Sequence, residues 1–457
     1  MSQRIIGIDL AVTAIHKAMI FSPASGQFIG RQVTFRGRTA DLDRLLRRAK
    51  AGAQADVELI AILEATGMAW YPVAVYLEQK GVKVYRVNGQ KTRDLRQALW
   101  KHTSSDRIDC RVLAQLYLLD PQRLTRCPLP DGSQLALQRA CRADNRWREL
   151  TTAMQNRLQA LDAWAWDGLH KLVPKVAQRW MRTKWYNPWQ VQAAGATMLI
   201  DEWQAVAPAS AAQNTEWIDA WVSRAQDRTA LFGSEAMVGF DQLQATQIAY
   251  LAQIDDYAAQ RHLLLNSEIK PLYTQLYPSC PLTSLMGVGL QSAATYRAFI
   301  GDINRFPTIE RFRRWTGMVP YSRQSGTSEA KGLPLTKAGP SLIKLTLYLN
   351  AEVARQFDVQ IAALYQRQMV DYGKHHSQAV CACASHLANR IYALLTQHRT
   401  YELRDLEGNP ISTERSRELA LALRVPDAVR QRNNKHARHR RVAQHTEART
   451  RRREQSR

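Results

Sequence analysis

Acidic residues are scarce in this 457-residue chain. Forty Asp and Glu stand against 63 Lys and Arg, a formal net charge of +23 at pH 7. Such one-sided charge is costly to keep on a compact surface without a polyanion beside it, so nucleic acid is the first expected partner. Long apolar runs are also missing. No stretch approaches the roughly 18 residues that a membrane span needs, and no membrane partner is expected. The opening MSQRIIGIDLAV has Arg4 and Asp9 within or beside its short apolar stretch, unlike a signal peptide. Cysteine is sparse: six residues, at 110, 127, 141, 280, 381 and 383, with no C-x-x-C pair and no His at zinc spacing. All six read as reduced thiols of a cytosolic protein. Apolar residues, by contrast, make up 45% of the chain, which excludes a wholly disordered basic protein and allows two or three domains with proper cores.

The first 125 residues alternate in type. Arg4–Val12, Lys17–Phe21 and Gln27–Phe35 read as three strands with tight connections. Thr39–Ala51 then reads as a helix, Val57–Leu63 as a buried strand, Trp70–Lys80 as a helix, Val82–Val87 as a strand and Asp106–Leu119 as a last helix. This succession predicts an α/β layer on a mixed sheet. Residues 133–277 read as a helical region. Leu135, Leu150, Met154, Leu158 and Leu161 mark one long helix, and Leu243, Ile248, Leu251 and Ile254 mark another, suited to pairing as an antiparallel coiled coil or across subunits. Nine of the 12 tryptophans fall between Trp147 and Trp221, many of them in an insertion at about 165–240, with Lys171, Lys175, Arg179, Arg182 and Lys184 interleaved. Two readings stay open for it: a small aromatic core, or a stacking and phosphate surface. Residues 278–400 read as a further, mainly helical domain and 401–457 as a basic C-terminal arm. From Arg424 onward there are eleven Arg and one Lys against three acids, a flexible stretch that either attracts phosphates or merely solubilises.

Four carboxylates in the first domain carry chemistry. Asp9 lies inside the apolar run I-G-I-D-L, where an acid is costly unless compensated. Glu64 leaves the fourth strand in I-A-I-L-E. Asp106 and Asp109, in S-S-D-R-I-D-C-R, share one helix face by their i, i+3 spacing, although Asp106 alone also suits a helix N-cap. Ligands of open α/β sheets collect at the carboxyl ends of strands. If the first and fourth strands are neighbours, the four acids meet there, and their mutual repulsion calls for divalent cations, two Mg²⁺ ions being the standard device for in-line phosphodiester displacement.

The stretch Ile5–Leu113 resembles the RuvC-like, RNase H-fold domain of the DEDD-type insertion-sequence transposases, the bridge-RNA-guided serine recombinases. The run V-N-G-Q-K-T-R-D-L-R-Q-A before D-R-I-D strengthens the likeness, with Ser104-Ser105 standing where that family usually has Lys-Thr. Farther on, L-M-G-V-G, I-G-D-I-N-R-F, W-T-G-M-V-P, S-G and T-K-A-G follow the layout of the family's C-terminal transposase domain, with Gln291-Ser292 a small departure in the hairpin helix. The M-G-V-G turn, Met286–Gly289, suits either a phosphate approach through Gly287 and Gly289 or a plain packing hairpin. Composition alone makes Tyr321–Leu345 a polar Gly-rich loop. The resemblance implies that the serine before glycine, Ser325, is the nucleophile joined covalently to DNA, with Ser322 and Ser328 as rivals and Arg323, Lys331 and Lys337 steadying the phosphate. A serine hydroxyl needs help to lose its proton, and no His lies in this loop. The carboxylates with Mg²⁺ are the candidates, met within one chain or across a dimer.

The expected protein is therefore a multidomain α/β and α transposase with Mg²⁺ as cofactor. Donor and target DNA are its substrates. The resemblance further implies a non-coding guide RNA and a prokaryotic, nucleoid-associated setting; holding two duplexes calls for a homodimer or homotetramer. A RuvC-type nuclease, in which water attacks, is the alternative. A non-catalytic binder has no use for four converging acids.

Overall fold

The computed structural model describes residues 2–64, 67–100, 103, 105–119, 121, 124, 126–127, 129–321, 324–325, 328–329, 333–336 and 338–436. Arg323, Lys331, Lys337 and Ser322 lie outside them. The chain divides into two compact units, Met1–Asp131 and Gly132–Arg457. No helix among the described residues is long and apolar enough to cross a membrane.

The first unit is built on strands β1 (Gln3–Asp9), β2 (His16–Ser22), β3 (Gln27–Phe35), β4 (Glu58–Glu64) and β5 (Lys83–Val87) in the order β3-β2-β1-β4-β5. Strands β3, β2 and β1 run antiparallel, whereas β1, β4 and β5 are parallel, which is the mixed sheet expected. The continuous apolar runs of β1 and β4 follow from burial on both faces. Ile6, Ile8, Ala61 and Leu63 meet α1 (Thr39–Lys50) and α2 (Trp70–Gln79) on one side, through Leu45, Val73 and Leu77. Ile5, Ile60 and Ile62 point to the other side and pack with Leu113 and Ala114 of α4 (Asp106–Leu119). The strand period of two thus sorts the side chains between the two helical layers.

Helix α3 (Gly89–Leu99) is absent from the sequence reading. The Asn88 side chain caps it by accepting from the Gln90 amide at 2.9 Å. It buries only Thr92, so it carries almost no apolar periodicity to be read. The first unit also runs past the expected end at 125. The Cys127 amide donates to the Val84 carbonyl at 2.8 Å, and Cys127 and Leu129 join the first core.

In the second unit, α5 (Gly132–Trp166) and α11 (Phe240–Leu264) lie side by side and antiparallel. Arg261 pairs with Asp144 at 3.0 Å, Trp147 stacks on Tyr257, Arg157 lies over Tyr250, and Gln247 donates to Asp162 at 3.0 Å. Between them the chain forms α6 (Leu169–Leu172), α7 (Gln178–Lys184), α8 (Pro188–Val206), α9 (Ala209–Ala212) and α10 (Glu216–Phe232). Here the tryptophans make a core: Trp166, Trp185, Trp203, Trp217 and Trp221 are buried together, and Trp217 stacks on Trp221 at 5.8 Å between centroids. The aromatic-core reading accounts for these five rings, while Trp164 remains exposed.

The remainder comprises α12 (Lys270–Leu276), α13 (Leu290–Ile300), α14 (Ile309–Thr316), the short strands β6 (Gln324–Ser325) and β7 (Ser328–Glu329), α15 (Ser341–Ala354), α16 (Val359–Val370), α17 (His376–Gln397) and α18 (Thr413–Ala422). Its core is tied by buried Asp358. That residue caps α16 through the Gln360 and Ile361 amides and accepts from the Tyr401 hydroxyl at 2.7 Å while pairing with Arg390. Residues 401–436, which the sequence places in the basic arm, are folded onto this core. Leu403 and Val425 are buried, and Asn433 donates to the Met369 carbonyl at 2.7 Å. The charge of this stretch hides a few well-spaced apolar anchors, and that is why composition misplaces it. Residues 437–457, the rest of the arm, lie outside the described residues.

Gly7 controls how the first unit packs. A Cβ there meets the Cys110 carbonyl oxygen and the Ala114 amide nitrogen of α4, both main-chain atoms that cannot swing aside. Gly7→Ala is expected to lower unfolding stability by about 1–3 kcal/mol through forced separation of α4 from β1, measured by urea denaturation.

Candidate active site

Parallel pairing of Ile8 with Leu63 sets Asp9 and Glu64 side by side at the carboxyl ends of β1 and β4. Alternation along the strands turns both toward the face covered by α4. Because Gly7 lets the α4 backbone come close near Cys110, the first turn of α4 reaches the same strand ends. Ser105 caps that helix, its hydroxyl accepting from the Ile108 amide at 3.4 Å. Asp106 is thus the first helical residue rather than the cap, and its carboxylate is turned to other partners.

Two cations meet these acids. Lys17, opposite Asp9 on β2, pairs with Asp106. Arg96 of α3 donates from Nη1 to both oxygens of Asp109, at 2.9 and 3.1 Å. Glu64 lies against Gly89 at the start of α3, where any Cβ collides with its carboxylate. Burial first, then the charges of Asp106, Asp109 and Glu64, push Asp9 up to about 6, against a smaller opposing pull from Lys17. Asp9 therefore feels the charge of each of the other three acids. The neighbouring Cys110 thiol is pushed up to about 12, chiefly by burial, so it is neither nucleophile nor ligand at neutral pH.

Among the described residues no three His, Cys, Asp or Glu side chains are drawn together closely enough to hold an ion. Lys17 and Arg96 supply the physical reason, since they neutralise two of the four acids in place. The donor set nevertheless suits a hard divalent cation: all oxygen, all carboxylate, with one member whose ionisation is resisted by burial and by its acidic neighbours. Lys17, Arg96, Gly7 and Gly89 escape the sequence reading. Lys17 was legible in principle from its register opposite Asp9, whereas Arg96 sits on the helix that the sequence did not reveal.

In the second unit, Ser325 ends β6 and pairs in register with Ser328 at the start of β7, so the main chains of the expected nucleophile and one rival are register partners in a two-stranded ribbon. Gly287 has φ +81° and abuts α15: a Cβ there strikes the Asn350 carbonyl oxygen and the Ala354 amide nitrogen, and the Asn350 amide donates to the Gly287 carbonyl at 2.6 Å. Its glycine is explained by this helix packing. A Cβ on Gly289, which precedes α13, meets open space, so the amides of that helix start are approachable from that side.

The DEDD transposase family model of the IS110 type matches residues 6–161, and the transposase model of the IS116/IS110/IS902 family matches residues 280–366. Together they span more than half of the chain. The chain belongs to the IS110 family of DEDD transposases. It is an enzyme that acts on DNA. A 43.6 kDa protein of insertion element IS110 from Streptomyces coelicolor is 23% identical over 406 residues, 87% of this chain and 95% of that one. A 42 kDa protein of insertion element IS900 from Mycobacterium paratuberculosis is 29% identical over 121 residues, 26% of this chain and 30% of that one. A pilin gene-inverting protein of Moraxella lacunata is 23% identical over 128 residues, 28% of this chain and 40% of that one. The first family match contains all four carboxylates, and the second contains the β6–β7 ribbon. The tryptophan-rich insertion falls between them.

The raised Asp9 pKa has a stability consequence. The folded state holds this proton from the ordinary 3.8 up to about 6, so stability falls as pH rises through that window and the burden is complete above it. In chelator at pH 7.5, Asp9→Asn is expected to melt above wild type, with the advantage narrowing steadily toward pH 4. Millimolar Mg²⁺ at pH 7.5 is expected to raise the wild-type melting temperature more than that of Asp9→Asn, as followed by differential scanning calorimetry.

Proposed function

We propose that this chain is the transposase of an insertion sequence, a DNA recombinase that cuts and rejoins strands through a covalent phosphoserine link at Ser325. The observation that supports the reading is the electrostatic reach of Glu64, Asp106 and Asp109 to Asp9 at one end of a mixed, RNase H-like sheet in a strongly basic, DNA-acting protein. Asp9, Glu64, Asp106 and Asp109 would hold divalent cations, Mg²⁺ and two of them. When bound, these supply charge neutralisation at the scissile phosphate and favour the ionised form of the attacking hydroxyl.

The chain's own residues do the rest. Ser325 Oγ forms a bond to phosphorus while the bond from phosphorus to the departing strand's oxygen breaks. A carboxylate of this acidic set takes the serine proton and returns it to the departing oxygen. Return attack by the hydroxyl of a new strand releases serine and restores the phosphodiester, so no energy source is needed. Arg323, Lys331 and Lys337, in the segment that follows Tyr321, steady the phosphate, and Gly289 leaves helix amides open to one. Lys17 and Arg96 hold Asp106 and Asp109 in place until the charge of the site changes. The +23 charge accommodates donor and target DNA together with a structured guide RNA, and strand exchange between two duplexes is assigned to a homodimer or homotetramer.

Wild-type protein incubated with its element's flanking DNA, the RNA transcribed from the element's ends, and Mg²⁺ is expected to give a protein–DNA adduct on a denaturing gel. Ser325→Ala and chelator are each expected to abolish it. An adduct surviving in Ser325→Ala would transfer the nucleophile to Ser322 or Ser328. Metal-dependent cleavage with no adduct would make water the attacking group and the enzyme a RuvC-type nuclease.

A further inference from the structure

Far along the second unit lies a cavity of about 390 Å³ that the strand-cutting chemistry does not use. It is formed where the end of α15, the first half of α16, the end of α18 and the helical segment 427–436 converge. Four arginines line it: Arg355 after α15, Arg417 on α18, Arg424 beyond it and Arg430 on the last segment. No carboxylate does. These positions are 75 residues apart at the extremes, so the grouping is made by the fold and not by a basic stretch of sequence.

Charge compensation is incomplete. Arg355 pairs with Glu352, and Arg430 approaches Asp427 at 3.7 Å. Neither Arg417 nor Arg424 has a carboxylate partner among the described residues, and both are exposed at the rim. The Arg355 Nε is buried with no acceptor. Positive potential from Arg355 and Arg430 reaches the buried Tyr365, where it opposes the upward push of burial on that hydroxyl. The remaining wall is apolar and aromatic. The Arg355 guanidinium lies 4.5 Å from the Tyr365 ring centroid, the Arg417 guanidinium lies 5.5 Å from that of Phe357, and Leu421 and Val425 complete the surface.

Guanidiniums that lack carboxylates select phosphate, because their forked donors match its oxygens. An aromatic and aliphatic wall beside them selects a flat ring. The volume lies in the range of roughly 300–1,000 Å³ typical of small-ligand sites. We propose that this cavity is a nucleotide-binding site, taking the phosphate of one unstacked nucleotide on Arg417, Arg424, Arg355 and Arg430 and its base against Phe357 and Leu421. It lies outside the serine ribbon, and its occupancy does not depend on the phosphoserine reading.

The test uses the full chain and a short, fluorescein-labelled, 5′-phosphorylated single strand, with binding read by anisotropy. Arg417→Glu/Arg424→Glu is compared with a control of equal charge change on an exposed helix face of the first unit, Arg47→Glu/Arg48→Glu. The cavity variant is expected to bind about tenfold more weakly than the control, and Arg417→Gln/Arg424→Gln to fall between it and wild type. A parallel titration with dAMP, read by thermal shift, distinguishes the source. Stabilisation of wild type but not of the cavity variant assigns a free nucleotide, and no response to dAMP alongside the strand defect assigns a nucleotide within a strand. Equal affinities of the cavity and control variants would overturn the proposal, since the arginines would then contribute only general charge.

Discussion

The first unit depends on one close approach, that of the α4 main chain to β1 at Gly7. Nothing larger than hydrogen fits between that residue and the Cys110 carbonyl. The contact does more than fill space. It fixes the height at which α4 begins, and with it the distance of Asp106 and Asp109 from Asp9. A helix held one methyl farther out would still cover Ile5, Ile60 and Ile62, but it would carry its first-turn acids away from the strand ends. Packing and chemistry are joined at that position, and the strand sequence I-G-I-D records both within four residues.

Around that contact the electrostatics run against the character of the molecule. A chain with a large excess of cations brings Glu64, Asp106 and Asp109 within electrostatic reach of Asp9 and holds two of these acids with Lys17 and Arg96. Asp9, half-buried and only weakly relieved by Lys17, is the one whose ionisation is resisted. The site is arranged so that added positive charge relieves strain instead of creating it. Anionic DNA brought by the basic surface would otherwise meet a repulsive centre, and divalent cations reconcile the two.

Much of this was legible in the residues. The I-G-I-D and I-A-I-L-E runs announce buried strands with acids at their ends, and D-x-x-D announces two acids on one helix face. The parallel neighbourhood of β1 and β4, which the sequence reading needed as a condition, is met by the register. Helix α3 was not legible, because a helix that buries one threonine leaves no periodic trace, and Arg96 was lost with it. The folded state of residues 401–436 was masked by charge. Anchors such as Leu403, Val425 and Asn433 are too widely spaced to outweigh the arginines between them in any compositional reading. The tryptophan cluster was ambiguous for a different reason. Stacking platforms and aromatic cores use the same residue types, and only burial separates them.

That cluster also bears on how the long helical hairpin is held. The α6–α10 segment has its own core, enters from the end of α5 and returns at the start of α11, and lies between the two regions that match the family. Its two attachment points are neighbouring ends of an antiparallel helical hairpin, whose opposite end carries the Arg261–Asp144 pair. The tryptophan core thus clamps one end of the hairpin, through Arg182 on Asp162 and Arg179 on Asp255, while Arg261 and Asp144 clamp the other.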